Sequence, residues 1–208
     1  YIPRVAAIHD LCGYGKCSLS VAIPVLSAAG CDVCPVPTGL FSSHTAFPGW
    51  YMHDTTAILN DYLAAWAGIG VELDAVYSGF LGAPEQVDII KQVWETYPGA
   101  LRVVDPVMAD HGKVYPTYTP ELVEAMGTLA HGADILTPNL TEACLLLGEP
   151  YDPDASLEAV ADLARRVAAL GPEKVVVTGL VRDGSVVNVG YERHGAAFTV
   201  STPQRGGD

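Results

Sequence analysis

Leu101-Arg102-Val103-Val104-Asp105-Pro106-Val107-Met108-Ala109-Asp110 and Ala133-Asp134-Ile135-Leu136-Thr137-Pro138-Asn139-Leu140-Thr141-Glu142 share one plan: a largely apolar run of strand length, then a proline among carboxylates or an amide. A buried strand ends where such polar residues begin, and open α/β sheets collect their ligands at those carboxyl ends. Three acidic side chains gathered at one sheet edge repel each other unless a cation or a phosphate-bound metal is shared among them. The two segments therefore point to a metal–phosphate site.

Strand-length apolar runs and stretches of helical period alternate on either side of these segments, the βαβ pattern of a mostly parallel sheet covered on both faces. The spacing predicts strands over Arg4–His9, Asp32–Pro37, Ala75–Gly79, Leu101–Asp105, Asp134–Thr137 and Lys174–Thr178. It predicts helices over Ser18–Ala29, Asp54–Ala67, Pro84–Tyr97, Pro120–Ala130, Leu140–Leu147 and Ser156–Leu170. Asp54 and Ser156 are the candidate N-caps, and Gly30, Gly148 and Gly171 stand at helix ends. Beyond Thr178 the helices stop. Ser185–Glu192 and Ala196–Ser201 alternate around Arg193-His194-Gly195 and read as an antiparallel hairpin at a sheet edge.

With 208 residues, half of them apolar, and no linker-like stretch, one α/β domain is expected. A net charge of −13 with only 11 lysines and arginines argues against nucleic acid as a partner, because a polyphosphate backbone is repelled. A nucleotide stays open, since backbone N–H groups and Mg2+ hold phosphates without a basic surface. No run reaches the ~18 apolar residues of a membrane span, and no stretch has the make-up of a signal peptide. Cys12, Cys17, Cys31, Cys34 and Cys144 form an odd set scattered through apolar stretches, the usage of a reducing, cytoplasmic setting. Cys31-x-x-Cys34 lacks a second Cys/His pair at ligand spacing and reads as buried structural thiols.

Three further loops follow strand ends. His9-Asp10-Leu11-Cys12-Gly13-Tyr14-Gly15-Lys16-Cys17-Ser18 opens a helix with two glycines, but has neither the third glycine of a dinucleotide fingerprint nor Walker A spacing. A ligand loop and a plain β–α turn both stay open there. Thr38-Gly39-Leu40-Phe41-Ser42-Ser43-His44-Thr45 combines hydroxyls, an imidazole and an aromatic ring, which suits a small polar aromatic ligand, although its hydroxyls can equally satisfy local backbone. Ser78-Gly79-Phe80-Leu81-Gly82 permits close approach at its glycines, with Phe80 covering either a ligand or the core.

Phe41-Ser42-Ser43-His44-Thr45, Ser78-Gly79-Phe80-Leu81-Gly82, Asp105-Pro106-Val107-Met108 with Asp110, and Thr137-Pro138-Asn139-x-x-Glu142 occur in an order and at a spacing that resembles the pyridoxal (pyridoxine/pyridoxamine) kinases of the ribokinase-like superfamily. The likeness runs from Arg4 to Ser201, and Gly171-Pro172-Glu173-Lys174-Val175-Val176-Val177-Thr178 also fits the strand bordering the nucleotide in that family. The resemblance implies a three-layer α/β/α ribokinase-like domain that transfers the ATP γ-phosphate to the 5′-hydroxymethyl group of a vitamin B6 vitamer. ATP and Mg2+ are implied with it, and a monovalent cation is left open. Substrate contacts fall to Asp10, Phe41, His44, Thr45 and Phe80, with the two Phe rings flanking the pyridine. Asp105 and Glu142 fall at the Mg2+ shell, largely through water, and Asp110, Asn139 and Thr178 at the nucleotide. A homodimer is implied as well. Taken by themselves the residues have plainer readings: Asp105-Pro106 as a strand-ending turn, Asn139 as a helix cap.

The superfamily closes its catalytic half with Gly-x-Gly-Asp at a helix N-terminus, supplying an anion hole and the Asp that activates the substrate hydroxyl. Gln204-Arg205-Gly206-Gly207-Asp208 has Arg205 where the first Gly belongs and no helix behind it. The catalytic Asp is therefore expected beyond Asp208, the 208 residues being one kinase domain incomplete at its C-terminus. Without that motif, most phosphoryl transfer is expected to be lost. The segment from His111 to Tyr118, with Gly112, Pro116 and two further aromatic positions, is a candidate mobile flap over the phosphates. Two alternatives stay open: a hydroxymethylpyrimidine kinase, which shares Asp-Pro-Val-Met and Asn-x-x-Glu, and a non-catalytic B6 or nucleotide binder. Cys12 and Cys17 flank the first loop, where a thiol can meet a pyridoxal aldehyde.

Overall fold

Val5 through Asp10 are all buried, which is what a strand covered on both faces requires, and they form the centre of β1 (Arg4–Cys12). The computed structural model describes residues 1–205, and the chain divides into two compact units: Tyr1–Val103 with Thr119–Met126, and Val104–Tyr118 with residues 127 onward. Gly206, Gly207 and Asp208, which the reading of the C-terminal motif concerns, lie outside the described residues.

In the first unit β1 leads into α1 (Leu19–Ala28) and β2 (Asp32–Phe41), followed by β3 (Met52–Asp54), α2 (Thr56–Gly68), β4 (Ala75–Ser78), α3 (Pro84–Thr96) and β5 (Leu101–Val104). β1 pairs in parallel with β2 on one side and with β4 on the other, from Val5↔Ala75 to Ile8↔Ser78. Ala6, Ala7, Val36 and Val76 are wholly enclosed, and each buried Val contributes on the order of 1.5–3 kcal/mol. The ladder to β2 slips between His9↔Pro37 and Leu11↔Leu40, leaving Asp10 at an irregularity of the kind that re-aims side chains beside functional sites. The short edge strand β3, antiparallel to β2, was not expected: three residues carry too little pattern to announce a strand.

In the second unit, which begins at Val104, β6 (Ala109–Asp110) and β7 (Lys113–Val114) form a small hairpin, followed by α4 (Pro120–His131), whose first half belongs to the first unit. Then come β8 (Ile135–Leu136), α5 (Leu140–Leu147), α6 (Leu157–Ala168), β9 (Lys174–Arg182), β10 (Ser185–Glu192) and β11 (Phe198–Pro203). β8 and β9 are parallel; β9, β10 and β11 are successively antiparallel. The expected β10–β11 hairpin is present, while β9 runs four residues past Thr178 to make a second hairpin with β10. Val160, Leu163, Ala164 and Val167 form the buried stripe of α6, which packs on β9 and β10.

Side-chain capping sets the limits of α5 and α6. Ser156 accepts from Ala159 N and starts α6, and Gly148 at φ 67° closes α5, both as expected. Asp54 lies one residue outside the cap of α2, which is Thr55, and accepts from Thr56 N instead. His111 and Gly112, at φ 49° and 76°, form the two-residue turn of the β6–β7 hairpin. Gly112 N donates to Thr141 Oγ1 at 2.9 Å, so the start of the segment expected to be a free flap is instead fastened to α5.

Candidate active site

Within the second unit, the end of β5 delivers Asp105 and the first turn of α5 delivers Glu142. Glu142 is buried and its oxygens are committed: Oε1 accepts from Met108 N at 3.1 Å and Ala109 N at 3.5 Å, and Oε2 from Asn139 N at 2.8 Å. Burial, and then the proximity of the Asp105 carboxylate, push Glu142 up to about 8 against these three bonds, and burial pushes Asp105 up to about 7. Asp105 is therefore near enough for its charge to act on Glu142. Two carboxylates raised by burial, Glu142 also by the charge of Asp105, and offering only hard oxygens, fit a divalent cation such as Mg2+. Among the described residues no three His, Cys, Asp or Glu side chains converge, so such an ion would complete its shell with phosphate oxygens and water.

Asn139 caps α5. Its Oδ1 accepts from Glu142 N at 2.9 Å, completing a capping box, and its Nδ2 donates to Ala109 O at 2.7 Å. The amide expected near the phosphates therefore has both ends engaged in fixing Glu142 and β6. Thr178 N donates to Pro138 O at 2.9 Å, tying β9 to the same turn. Asp110 lies at the exposed end of β6, accepting from His111 N at 2.7 Å. Tyr115 faces this acidic group: burial and then the charges of Asp110, Glu142 and Asp105 push its phenol up to about 12, so it stays a hydrogen-bond donor.

The first unit gathers the other expected residues. Asp10 is buried, and its carboxyl is raised by burial and drawn back by a hydrogen bond from Ser18 and by His44. Ser18, at φ 50°, makes no cap bond to α1, so its hydroxyl serves Asp10 rather than the helix. Gly13 N donates to Phe41 O, Tyr14 N to Ser42 O, and His44 N to Tyr14 O, zipping the loop after β1 to the loop after β2. Gly15, at φ 83°, lies where a Cβ would come within 2.8 Å of His44 Cβ. Phe41 and Phe80 meet edge to face at 5.5 Å, and Phe41 leans on Trp50 at 5.7 Å, making one aromatic cluster. Thr45 and His44 are exposed beside it.

The cysteine expectations need correction. Cys17 is pushed up to about 12 by burial and a hydrogen bond with Cys12, so it is no thiolate nucleophile toward an aldehyde at neutral pH. Cys31 and Cys34 are half-buried rather than buried, and all five cysteines are free.

Two residues of the first unit escaped the sequence. His9 is 4 % exposed, stands edge-on to Tyr77 at 4.4 Å, and has been lowered by burial to about 4. Gln86 is buried in α3 and bonded to β2 at Thr38, to the start of α2 at Thr56 and to the loop at Gly82. Its signal was available: Gln86 occupies the apolar stripe with Ile90 and Val93, where an amide demands partners.

Parallel β–α ladders, antiparallel edges, and acidic residues at strand and helix ends define a ribokinase-like fold, and solved structures share it. A candidate phosphomethylpyrimidine kinase from Bacteroides thetaiotaomicron, in a crystal form with pyridoxal, superposes with a TM-score of 0.90 and 38% identity, covering 98% of this chain and 73% of that one. The pyridoxal kinase from Lactobacillus plantarum gives a TM-score of 0.87 and 29% identity, over 100% and 75% of the two chains. The chain belongs to the phosphomethylpyrimidine kinase family, whose model matches residues 22–205. The pyridoxal kinase PdxY of Deinococcus radiodurans is 34% identical over 194 residues, 87% of this chain, and the chain spans 64% of that relative's length.

Proposed function

We propose that the protein transfers the γ-phosphoryl group of ATP to the 5′-hydroxymethyl group of pyridoxal, pyridoxine or pyridoxamine. The observation that carries this reading is the pair of raised carboxylates Asp105 and Glu142, with Glu142 anchored to backbone at the head of α5 and acted on by the Asp105 charge. Pyridoxal in the crystal of a 38% identical relative, and the pyridoxal kinase activity named for others, support the vitamer over a pyrimidine.

Asp105 and Glu142 are the residues that would hold Mg2+, which when bound supplies charge neutralisation at the phosphates. Asn139 keeps Glu142 aimed, Tyr115 offers a phenolic donor, and Asp110 and Thr178 border the nucleotide. Phe41 and Phe80 give the pyridine an apolar wall, while Asp10, His44 and Thr45 meet its substituents. Asp10 has its pKa raised by burial, which suits it to pair with a protonatable ring nitrogen. The base that deprotonates the hydroxyl is assigned to none of the described residues. Five free thiols accord with a reducing, cytoplasmic setting, no helix among the described residues is long and apolar enough to cross a membrane, and a homodimer is the proposed assembly.

The test is ATP-dependent phosphorylation by the full-length protein, with each vitamer and with hydroxymethylpyrimidine as acceptors. Saturable turnover of a vitamer is expected. Turnover of hydroxymethylpyrimidine alone would replace this reading with the pyrimidine one, and binding of pyridoxal without turnover would make the protein a non-catalytic binder.

A further inference from the structure

Gln86 is 1 % exposed, lies in the first turn of α3, and spends its amide on other elements. Its Oε1 accepts from Gly82 N at 2.9 Å. Its Nε2 donates to Thr38 O at 2.8 Å and Thr56 Oγ1 at 2.9 Å, with Asp54 Oδ1 at 3.4 Å. Thr38 Oγ1 in turn donates to Phe80 O at 2.7 Å. The backbone carrying Phe80 is thereby fixed on both sides, at its own carbonyl and at Gly82 N, through two bonds that both trace to the Thr38–Gln86 pair. Met52 packs against the same loop, since a Cβ on Gly82 would come within 2.8 Å of Met52 Cε. An apolar side chain would complete the α3 stripe beside Ile90 and Val93. Gly82 N, Thr38 O and Thr56 Oγ1 are what call for an amide there.

We propose that Gln86, acting with Thr38, is a positioning residue: it sets the Phe80 ring against Phe41 and so governs affinity for the vitamer ring without affecting the nucleotide. The proposal rests on the B6-kinase reading above. In the full-length protein, Gln86→Met and Thr38→Val are each expected to raise KM for pyridoxal roughly fivefold or more, while KM for ATP stays within about twofold. Ile90→Val, which loosens the same helix without touching the loop, is expected to leave both KM values unchanged. An unchanged pyridoxal KM in Thr38→Val, or a parallel rise in both KM values, overturns the positioning role. If Gln86→Met does not fold, Thr38→Val alone decides between these outcomes. Failure of the unsubstituted protein to phosphorylate any vitamer overturns the B6 reading itself and this proposal with it, a result distinct from equal KM values in active variants.

Discussion

Asn139 and Glu142 hold each other in place: the Asn139 side chain accepts from Glu142 N at 2.9 Å, and the Glu142 carboxylate accepts from Asn139 N at 2.8 Å. A capping box of this kind ordinarily satisfies two orphan amides at a helix start. Here the same bonds aim a buried carboxylate at Asp105, so helix initiation and the acidic site are one structure.

Glu142→Gln keeps the shape of the side chain but removes its charge and sets a donor opposite Asn139 N. At Mg2+ concentrations near 100 times its Kd, ligand linkage predicts a stabilisation of about 2.7 kcal/mol for the unsubstituted protein. The variant is expected to show almost none of it. Thermal melts with and without Mg2+, in the presence of ADP, measure the difference, and an equal shift in both proteins would remove Glu142 from the metal shell.

Asn139→Ala loses the cap, worth ~1 kcal/mol, and leaves Ala109 O without its side-chain donor at a further cost of ~1 kcal/mol. Asn139→Ser restores an acceptor for the helix amide and not the Ala109 bond, so it is expected to recover about half of the loss. Urea unfolding gives both values; equal destabilisation by Ala and Ser would show that the cap contributes nothing.

His9 predicts the acid limb of stability. Its imidazole is lowered by burial to about 4, whereas an unfolded histidine titrates near 6.5. As pH falls below 6.5 the unfolded chain takes up this proton first, so stability present above that value is lost progressively toward pH 4, by about 3 kcal/mol in total. His9→Gln is expected to flatten the slope of unfolding free energy between pH 6.5 and 4. An unchanged slope would mean that His9 is charged in the folded state.

Gly79 is defined by the same histidine. A Cβ there would lie 2.1 Å from His9 Nδ1, against a ring fully enclosed by its neighbours. Gly79→Ala is expected to cost more than ~2 kcal/mol. In a His9→Ala background the added cost should fall below ~1 kcal/mol, because the clashing atoms are gone. A double-mutant cycle by chemical denaturation reads this coupling, and additive effects would exclude the close approach.

Much of this was legible in the chain. The parallel βα units read correctly because Val5–Ile8 and Val175–Val177 are apolar runs, and Leu101–Val104 a largely apolar one, each bounded by turn residues. The positions of Asp105, Asn139 and Glu142 at a strand end and a helix start were legible because each follows such a run, where polar side chains must go. β3 and the β6–β7 hairpin escaped notice because strands of two or three residues owe their existence to partners rather than to pattern. Gln86 and His9 escaped notice for a related reason: one buried polar residue in an apolar stripe reads as noise until its partners are located.

By itself, the sequence determined the α/β class, the order of its longer elements, the helix caps at Asn139 and Ser156, and which carboxylates stand at strand ends, since all of these follow from local periodicity and local hydrogen-bonding chemistry. Tertiary structure decided that Glu142 is raised beside Asp105, that Asn139 spends both ends of its amide on anchoring, that Phe41 and Phe80 form one cluster, and that Gln86 ties β2, the start of α2 and the Gly82 loop together. Those properties depend on distances between residues far apart in the chain. Burial and hydrogen-bond partnership are set by such distances, and no local pattern encodes them.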